Sequence, residues 1–317
     1  MEDSLLKMPK VELHLHFDGG VDIDLLAKFS NLSRDEVIKK TVSLNDDTLS
    51  DYLKHFDFVK EFLQTKENLK LASLTLGENL KQENVIYAEI RFDPLDYTNH
   101  GLTPHEVIDT IIEGLSESNL KFNLILCMRR GKDISYNKKI IELANDYLKG
   151  GVVAVDLVGD EEHFPFTDYE YLFKICKYAN IPVTIHAGET NKRDIKNVVS
   201  YTKRIGHGIK IYDDNELISL IKENNILLEV CPNSNIDTKN ILDYASHPIR
   251  KLYEKGVEVC INTDNRVVSN ITLCEEYLNL VKYLNFNYDE LKQMNLNAIN
   301  YAFISEDEKE NLRKQIK

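Results

Sequence analysis

The chain carries nine histidines, and a few of them stand where chemistry could use them. His14 and His16 lie in Val11-Glu12-Leu13-His14-Leu15-His16, an alternation with the period of a β-strand. Successive strand side chains face opposite ways, so the two imidazoles project together while Val11, Leu13 and Leu15 project to the other face. Asp18-Gly19-Gly20 then stops the strand. Two neutral imidazoles at a strand end can grip one metal ion, although an isolated pair is more often packed or at the surface. His186 opens His186-Ala187-Gly188-Glu189, where Gly188 gives the backbone freedom to turn Glu189 back over a site. The structural alternative makes Glu189 the N-terminal charge of the next helix. His207 is framed by Gly206 and Gly208, which suits either close approach of a substrate or a plain turn. Asp264 follows the apolar run Cys260-Ile261-Asn262-Thr263, where a buried carboxylate is costly unless paired or on a metal.

These residues make a site only if strand ends are brought together. Apolar runs of strand length occupy 11–16, 85–92, 122–128, 152–158, 182–186, 204–208, 226–231 and 257–262, with helical patterns between them. Ser33-Arg34-Asp35-Glu36 and Thr103-Pro104-His105-Glu106 read as helix starts. Two helices are expected over 49–83, as a lid at the barrel mouth, with Phe56, Phe58 and Phe62 as core. Further helices are expected near 140–148, 171–178 and 216–223, between His247-Pro248 and Gly256, and over 273–312. Alternating strands and helices predict an α/β fold, a (β/α)₈ TIM barrel with additional helices after strand 1 and at the C-terminus. An open doubly wound sheet would need a glycine-rich phosphate loop after the first strand, and Asp18-Gly19-Gly20 does not supply one. No linker interrupts the pattern, so 1–317 is expected to be a single domain. Active sites of such barrels form at the C-terminal strand ends. His14, His16, Gly159, His186, His207 and Asp264 fall there; His55, His100, His105, His163 and His247 fall on helices or loops and are expected to be solvated.

Composition bounds the partners. At 43% hydrophobic residues the chain can build a large core, and a net charge of -13 argues against nucleic acid or an anionic membrane. No basic, apolar leader and no run of membrane-spanning length is present. The five cysteines are scattered, with no C-x-x-C pair, and read as reduced core residues of a cytoplasmic protein. Oligomeric state is not legible.

Six segments together resemble the adenosine deaminase family of metal-dependent amidohydrolases. They are His14-Leu15-His16-Phe17-Asp18-Gly19, Asp156-Leu157-Val158-Gly159-Asp160-Glu161, His186-Ala187-Gly188-Glu189, Gly206-His207-Gly208, Cys231-Pro232-Asn233-Ser234-Asn235 and Asn262-Thr263-Asp264. The resemblance implies one Zn²⁺ per chain on His14, His16, His186 and Asp264, with Glu189 as proton donor. It implies that His207 orients and deprotonates the attacking water. Asp18 is implied to contact a sugar hydroxyl, the Gly159 backbone a purine ring, and His16 and Asn265 the substrate. The expected reaction is hydrolysis of adenosine or 2′-deoxyadenosine to inosine-type product and ammonia, in purine salvage. Alternatives are deamination of adenine or an N6-modified AMP, and a non-catalytic purine-binding barrel. Two residues depart from the family pattern: Phe17 replaces a leucine and is expected to reshape the mouth, and Asn265 replaces a second aspartate.

Overall fold

Parallel strands form where the apolar runs occur: β1 (Lys10–His16), β2 (Val85–Phe92), β3 (Phe122–Arg129), β4 (Val152–Val158), β5 (Ile185–Ala187), β6 (Arg204–His207), β7 (Leu227–Val230) and β8 (Val259–Ile261). The structure, a computed structural model, describes residues 2–43 and 49–316. β1 to β4 pair in chain order, as do β5 to β8. Two seams close the ring. At one, Val155 N donates to Pro182 O at 3.1 Å and Thr184 N to Val155 O at 3.0 Å, joining β4 to the segment entering β5. At the other, Asp264 N donates to His14 O at 3.0 Å and His16 N to Asp264 O at 2.8 Å. Asn262 Oδ1 reinforces that seam by accepting from Leu13 N and His14 N, at 2.9 and 3.1 Å. The expected (β/α)₈ barrel is the fold.

The strand ends of β5 to β8 differ from expectation for local reasons. Pro182 has no N–H to offer a ladder, so only Ile185–Ala187 pairs regularly. β7 stops at Val230 because Pro232 starts a short helix, Pro232–Asp237, that is not among those expected from the sequence. Among the described residues, four helices separate β1 from β2: Ile23–Ser30, Arg34–Thr41, Leu49–Phe62 and Lys66–Gln82. Both capping boxes form as expected, Ser33 with Glu36 and Thr103 with Glu106. Helix Leu49–Phe62 packs on the turn Asp18–Gly20, at the mouth, where Lys60 Nζ lies 3.2 Å from Asp18 Oδ2. Phe58 and Phe62 meet edge to face and pack on the main core, while Phe56 packs on Val268.

Three helices end the chain, Leu273–Leu284, Tyr288–Tyr301 and Glu306–Arg313. The link between the last two closes part of the barrel floor. There Phe303 N donates to Glu89 Oε1 at 2.7 Å and the Arg204 guanidinium lies over the Phe303 ring. Among the described residues no helix is long and apolar enough to cross a membrane.

Candidate metal centre and active site

β1, β5 and β8 bring four side chains to one point. His14, His16, His186 and Asp264 each offer a ligand atom, and these atoms all lie within 4.8 Å of one another. Ring centroids are 4.5 Å apart for His14 and His186 and 5.6 Å for His14 and His16. Asp264 Oδ1 is 3.3 Å from both His14 Nε2 and His16 Nε2. His14 Nε2 and Asp264 Oδ1 are buried and have no hydrogen-bond partner. Lone pairs converging out of water in this way are what a cation relieves, so the residues fit a metal. Three imidazoles and one carboxylate suit zinc rather than a thiolate-seeking ion. A second grouping, His14, His207, Cys231 and Asp264, is equally tight. Burial pushes the Cys231 thiol well above its usual range, which disfavours the thiolate a metal needs.

The atoms behind the cluster decide which nitrogen faces it. His14 Nδ1 is 2.9 Å from Glu229 Oε2, and His186 Nδ1 is 2.9 Å from Asp156 Oδ2. The hydrogen bond at His14 Nδ1 keeps the proton there and leaves Nε2 as the donor to a metal, whereas His186 Nδ1, at the same distance from its carboxylate, is not aligned for a hydrogen bond. Asp264 Oδ2 accepts from Ser234 Oγ at 2.6 Å, which leaves Oδ1 for the site. Burial alone would raise the Asp264 carboxyl, but the adjoining His14 and His16 imidazoles hold it well below the usual carboxylate range. Burial lowers His16 well below its usual value, against the pull of Asp264. Arg91 bridges Asp156 and Glu229, at 2.5 and 2.7 Å, and Arg204 Nε binds the other Glu229 oxygen at 2.6 Å. All four of these charged side chains are fully buried inside the barrel. Burial would raise Glu229, yet Arg204 and Arg91 keep it well below the usual range.

Glu189 and His207 stand over the cluster. Glu189 Oε1 accepts from Asn240 Nδ2 at 3.2 Å and Thr238 Oγ1 at 3.3 Å, while Oε2 is 3.6 Å from His207 Nε2. Oε2 is therefore the oxygen left to carry or receive a proton. The loop bearing Glu189 is clamped by the buried Glu161 carboxylate, which accepts from Gly188 N, Thr190 N and Asn191 N at 2.9, 2.5 and 3.2 Å. Gly188 has φ +76°, and a Cβ there would come within 3.1 Å of the Gly208 backbone. His207 is also in the left-handed region, at φ 64°, as is Asp264 at 60°. Non-glycine residues hold that conformation at some cost, and such residues concentrate at functional sites.

The remaining sequence candidates are arranged around this centre. Asp18 opens the turn after β1 and is bound by Lys60. Gly159 is exposed at the end of β4 with φ +101°. Asn265 follows Asp264, and a Cβ on Gly19 would meet its side chain at 2.4 Å, so only glycine lets Asn265 lie so close. Phe17 does not reshape the mouth as expected. It is fully buried, with Phe92 and Tyr97 rings at 6.1 and 6.0 Å. His247 is not solvated either, being only 2% exposed.

A model of the adenosine deaminase family matches residues 9–317. Curated adenosine deaminases from Clostridium perfringens and Enterococcus faecalis are 38% and 37% identical to the chain, each over at least 98% of both sequences. The chain belongs to the adenosine deaminase family. That is a family of metal-dependent amidohydrolases, in keeping with the convergent histidines. Among solved structures, Arabidopsis ADAL complexed with IMP superposes with a TM-score of 0.88 at 22% identity, covering 99% of this chain and 97% of the other. That likeness bears on the fold.

Within this adenosine deaminase fold, several site residues escape sequence reasoning. Glu229, Arg91 and Arg204 are hidden inside strands that read as apolar, and Asp156, though it opens one of the family motifs, has no role assigned from the sequence. The available signal was a lone charge at the barrel-facing parity of a buried strand, which must be paired. Ser234, Asn235, Thr238 and Asn240 lie on or just after the unexpected helix Pro232–Asp237, and nothing in their types alone marks them.

Proposed function

We propose that the chain hydrolyses adenosine and 2′-deoxyadenosine to inosine and 2′-deoxyinosine with release of ammonia, as a purine-salvage enzyme acting as one barrel domain over 1–317. The observation that carries this reading is the convergence of His14, His16, His186 and Asp264 beneath a Glu189–His207 pair. In this reading those four residues hold one zinc ion. A zinc ion bound there would lower the pKa of a coordinated water to about 7. Glu189 Oε2 gives its proton to purine N1 as the water oxygen adds to C6, so aromaticity is lost with charge balanced. One water proton replaces the proton Glu189 gave. The other passes from the new C6 hydroxyl to the amino group, the C6–N bond breaks, and inosine and ammonia leave. His207 orients the attacking water, the Gly159 backbone and Asn265 meet the purine, and Asp18 meets the sugar.

A nucleoside is favoured over a nucleotide by the charge at the mouth. A cavity of about 460 Å³ is lined in part by Lys60, which binds Asp18, and by Asp96, Arg129 and Lys132. Asp96 Oδ2 lies 2.6 Å from both Lys60 Nζ and Arg129 NH1. Lys60 and Arg129, already matched by Asp96, suit neutral hydroxyls better than a phosphate. The five buried, unbridged cysteines support a reducing, cytoplasmic setting. The test is loss of the adenine absorbance over a panel of adenosine, 2′-deoxyadenosine, adenine and N6-methyl-AMP, with and without prolonged chelation. Adenosine turnover that chelation abolishes and zinc restores is expected; a preference for adenine or N6-methyl-AMP overturns the substrate assignment.

A further inference from the structure

His247 has no part in the reaction described above, yet it is buried, hydrogen-bonded on both ring nitrogens and one residue removed from His207. Ile249 N donates to His247 Nδ1 at 3.2 Å. A backbone N–H can only donate, so Nδ1 must accept and the single proton of a neutral ring must sit on Nε2. Burial, with the nearby His207, pushes His247 down to about 3, which keeps it neutral. His247 Nε2 is 3.3 Å from Asn235 Oδ1 and so donates to it. That contact fixes which way the Asn235 amide points, and turns Nδ2 toward His207 Nδ1 at 3.0 Å. An amide NH₂ only donates, so His207 Nδ1 only accepts. The three side chains are at most 2% exposed, leaving water little room to substitute for any link.

We propose that His247 and Asn235 are positioning residues that lock His207 in its Nε2–H tautomer. The N–H is then directed into the site, toward the region between Glu189 Oε2 and the His14 and His186 rings, whose centroids lie 5.0 and 5.1 Å from the His207 ring. In that tautomer Nε2 has no lone pair with which to take a proton from water. His207 acts as a hydrogen-bond donor that holds the attacking oxygen, and the water proton passes to Glu189 instead. This narrows the role implied by family resemblance, in which His207 both orients and deprotonates the water. The catalytic consequence rests on the deaminase reading; the tautomer does not.

The same helix explains why the lock is stiff. Pro232–Asp237 also carries Ser234, which holds Asp264, and is followed by Thr238, which holds Glu189. One rigid element therefore orients a candidate ligand, the imidazole and the acid together.

The direct test is ¹⁵N NMR of histidine-labelled, zinc-loaded protein, with His207 assigned from the spectrum of H207Q. A protonated Nε2 and bare Nδ1 at His207 is expected, and a proton on Nδ1 overturns the proposal. Asn235→Asp keeps the shape but replaces the donor with an acceptor, and should draw a proton to Nδ1. By analogy with tautomer inversion in hydrolytic triads, kcat should fall by about 10²-fold or more with zinc content kept and KM little changed. His247→Leu frees the Asn235 amide and should lower kcat about tenfold, the scale of one hydrogen bond, while His247→Gln, which restores an N–H donor, should recover most of it. Wild-type kcat in Asn235→Asp, or equal losses in both His247 variants, would overturn the positioning role. A tautomer found as proposed in a protein inactive on every aminopurine would leave the lock standing and refute the deaminase reading.

Discussion

Glu189 and Asp264 are both carboxylates at the rim of the barrel, but their surroundings assign them different work. Asp264 has one oxygen held by Ser234 and the other set among imidazole nitrogens, which is a ligand's arrangement. Glu189 has one oxygen held by Thr238 and Asn240 and the other facing His207, which suits proton transfer. Glu189→Gln should therefore keep its zinc, measured by elemental analysis, and lose about 10²–10⁴-fold in kcat, as expected for a missing general acid. Asp264→Ala and His14→Ala should lose metal and turnover together; an active, metal-free form of either would refute the site. Asn265 offers a finer prediction. Its amide can donate to purine N7 at any pH, whereas the aspartate usual in the family must be protonated to do so. Adenosine should exceed 7-deazaadenosine by roughly tenfold in kcat/KM, about 1.4 kcal/mol, and Asn265→Ala should erase that gap. If the gap survives, Asn265 serves only to shape the loop.

Elements enter because each of these side chains is aimed by backbone. β6 shows how closely the barrel must pack to make the cluster. A Cβ on Gly206 would lie 3.0 Å from His14 Cε1 and 3.1 Å from His186 Nδ1, so only a bare backbone lets both rings converge. Gly206→Ala should push the rings apart, cost about 1–3 kcal/mol of stability as overpacking does, and weaken zinc binding in a chromophoric-chelator competition. Wild-type affinity would show that the rings have slack. Much at this scale is legible in advance: the β2 and β4 boundaries, the convergence of His14 and His16, and the capping boxes at Ser33 and Thr103, although a register shift between Glu12 and Leu15 breaks the expected alternation and puts Val11 and Leu13 in a different cluster from Leu15. Periodicity and caps are local signals, and away from that shift these elements obey them. The misses are non-local. The charges of Glu229 and Asp156 make sense only once Arg91 and Arg204 arrive from other strands. The helix Pro232–Asp237 is not expected from the sequence, and it docks on helix Leu273–Leu284 through Asn233 N and Glu276. The left-handed backbones of His207 and Asp264 are imposed by the site, not by residue preference.

The whole molecule sets the conditions under which this site stays assembled. A barrel interior holding Glu89, Arg91, Asp156, Arg204 and Glu229 is unusually polar for a fold commonly filled by branched apolar residues. Most of those charges are paired, and the interior should tolerate a wide pH range on their account. Three buried carboxyls elsewhere are different, and burial pushes one of them, Asp93, up to about 6. Burial pushes Glu12 up to about 7 against the opposing pull of Arg266 and Thr263. It pushes Glu276 up to about 8 although Asn233 N and Tyr244 Oη both donate to it at 2.9 Å. Glu276 joins helix Leu273–Leu284 to Pro232–Asp237, so its ionisation bears on the element that orients the site. Below about 4.5 the residue is protonated in both folded and unfolded chains and makes no pH-dependent difference. Between about 4.5 and about 8 the unfolded chain loses the proton and the folded chain keeps it. Stability then falls as pH rises, by at most about 1.4 kcal/mol per unit for one proton, and levels off above that window. Glutamine can still accept from Asn233 and donate to Tyr244, and cannot ionise. Glu276→Gln should therefore match the wild type in thermal unfolding near pH 4 and become progressively more stable than it up to about pH 8. Taking the difference between the two proteins removes the contribution of uncoupled groups such as Asp93, while Glu12, which helps to raise Glu276, shifts with it. A Tm difference that stays flat across this range, or that shrinks as pH rises, would mean that Glu276 is already ionised in the folded chain and that the contact between the two helices is an anion held by its donors.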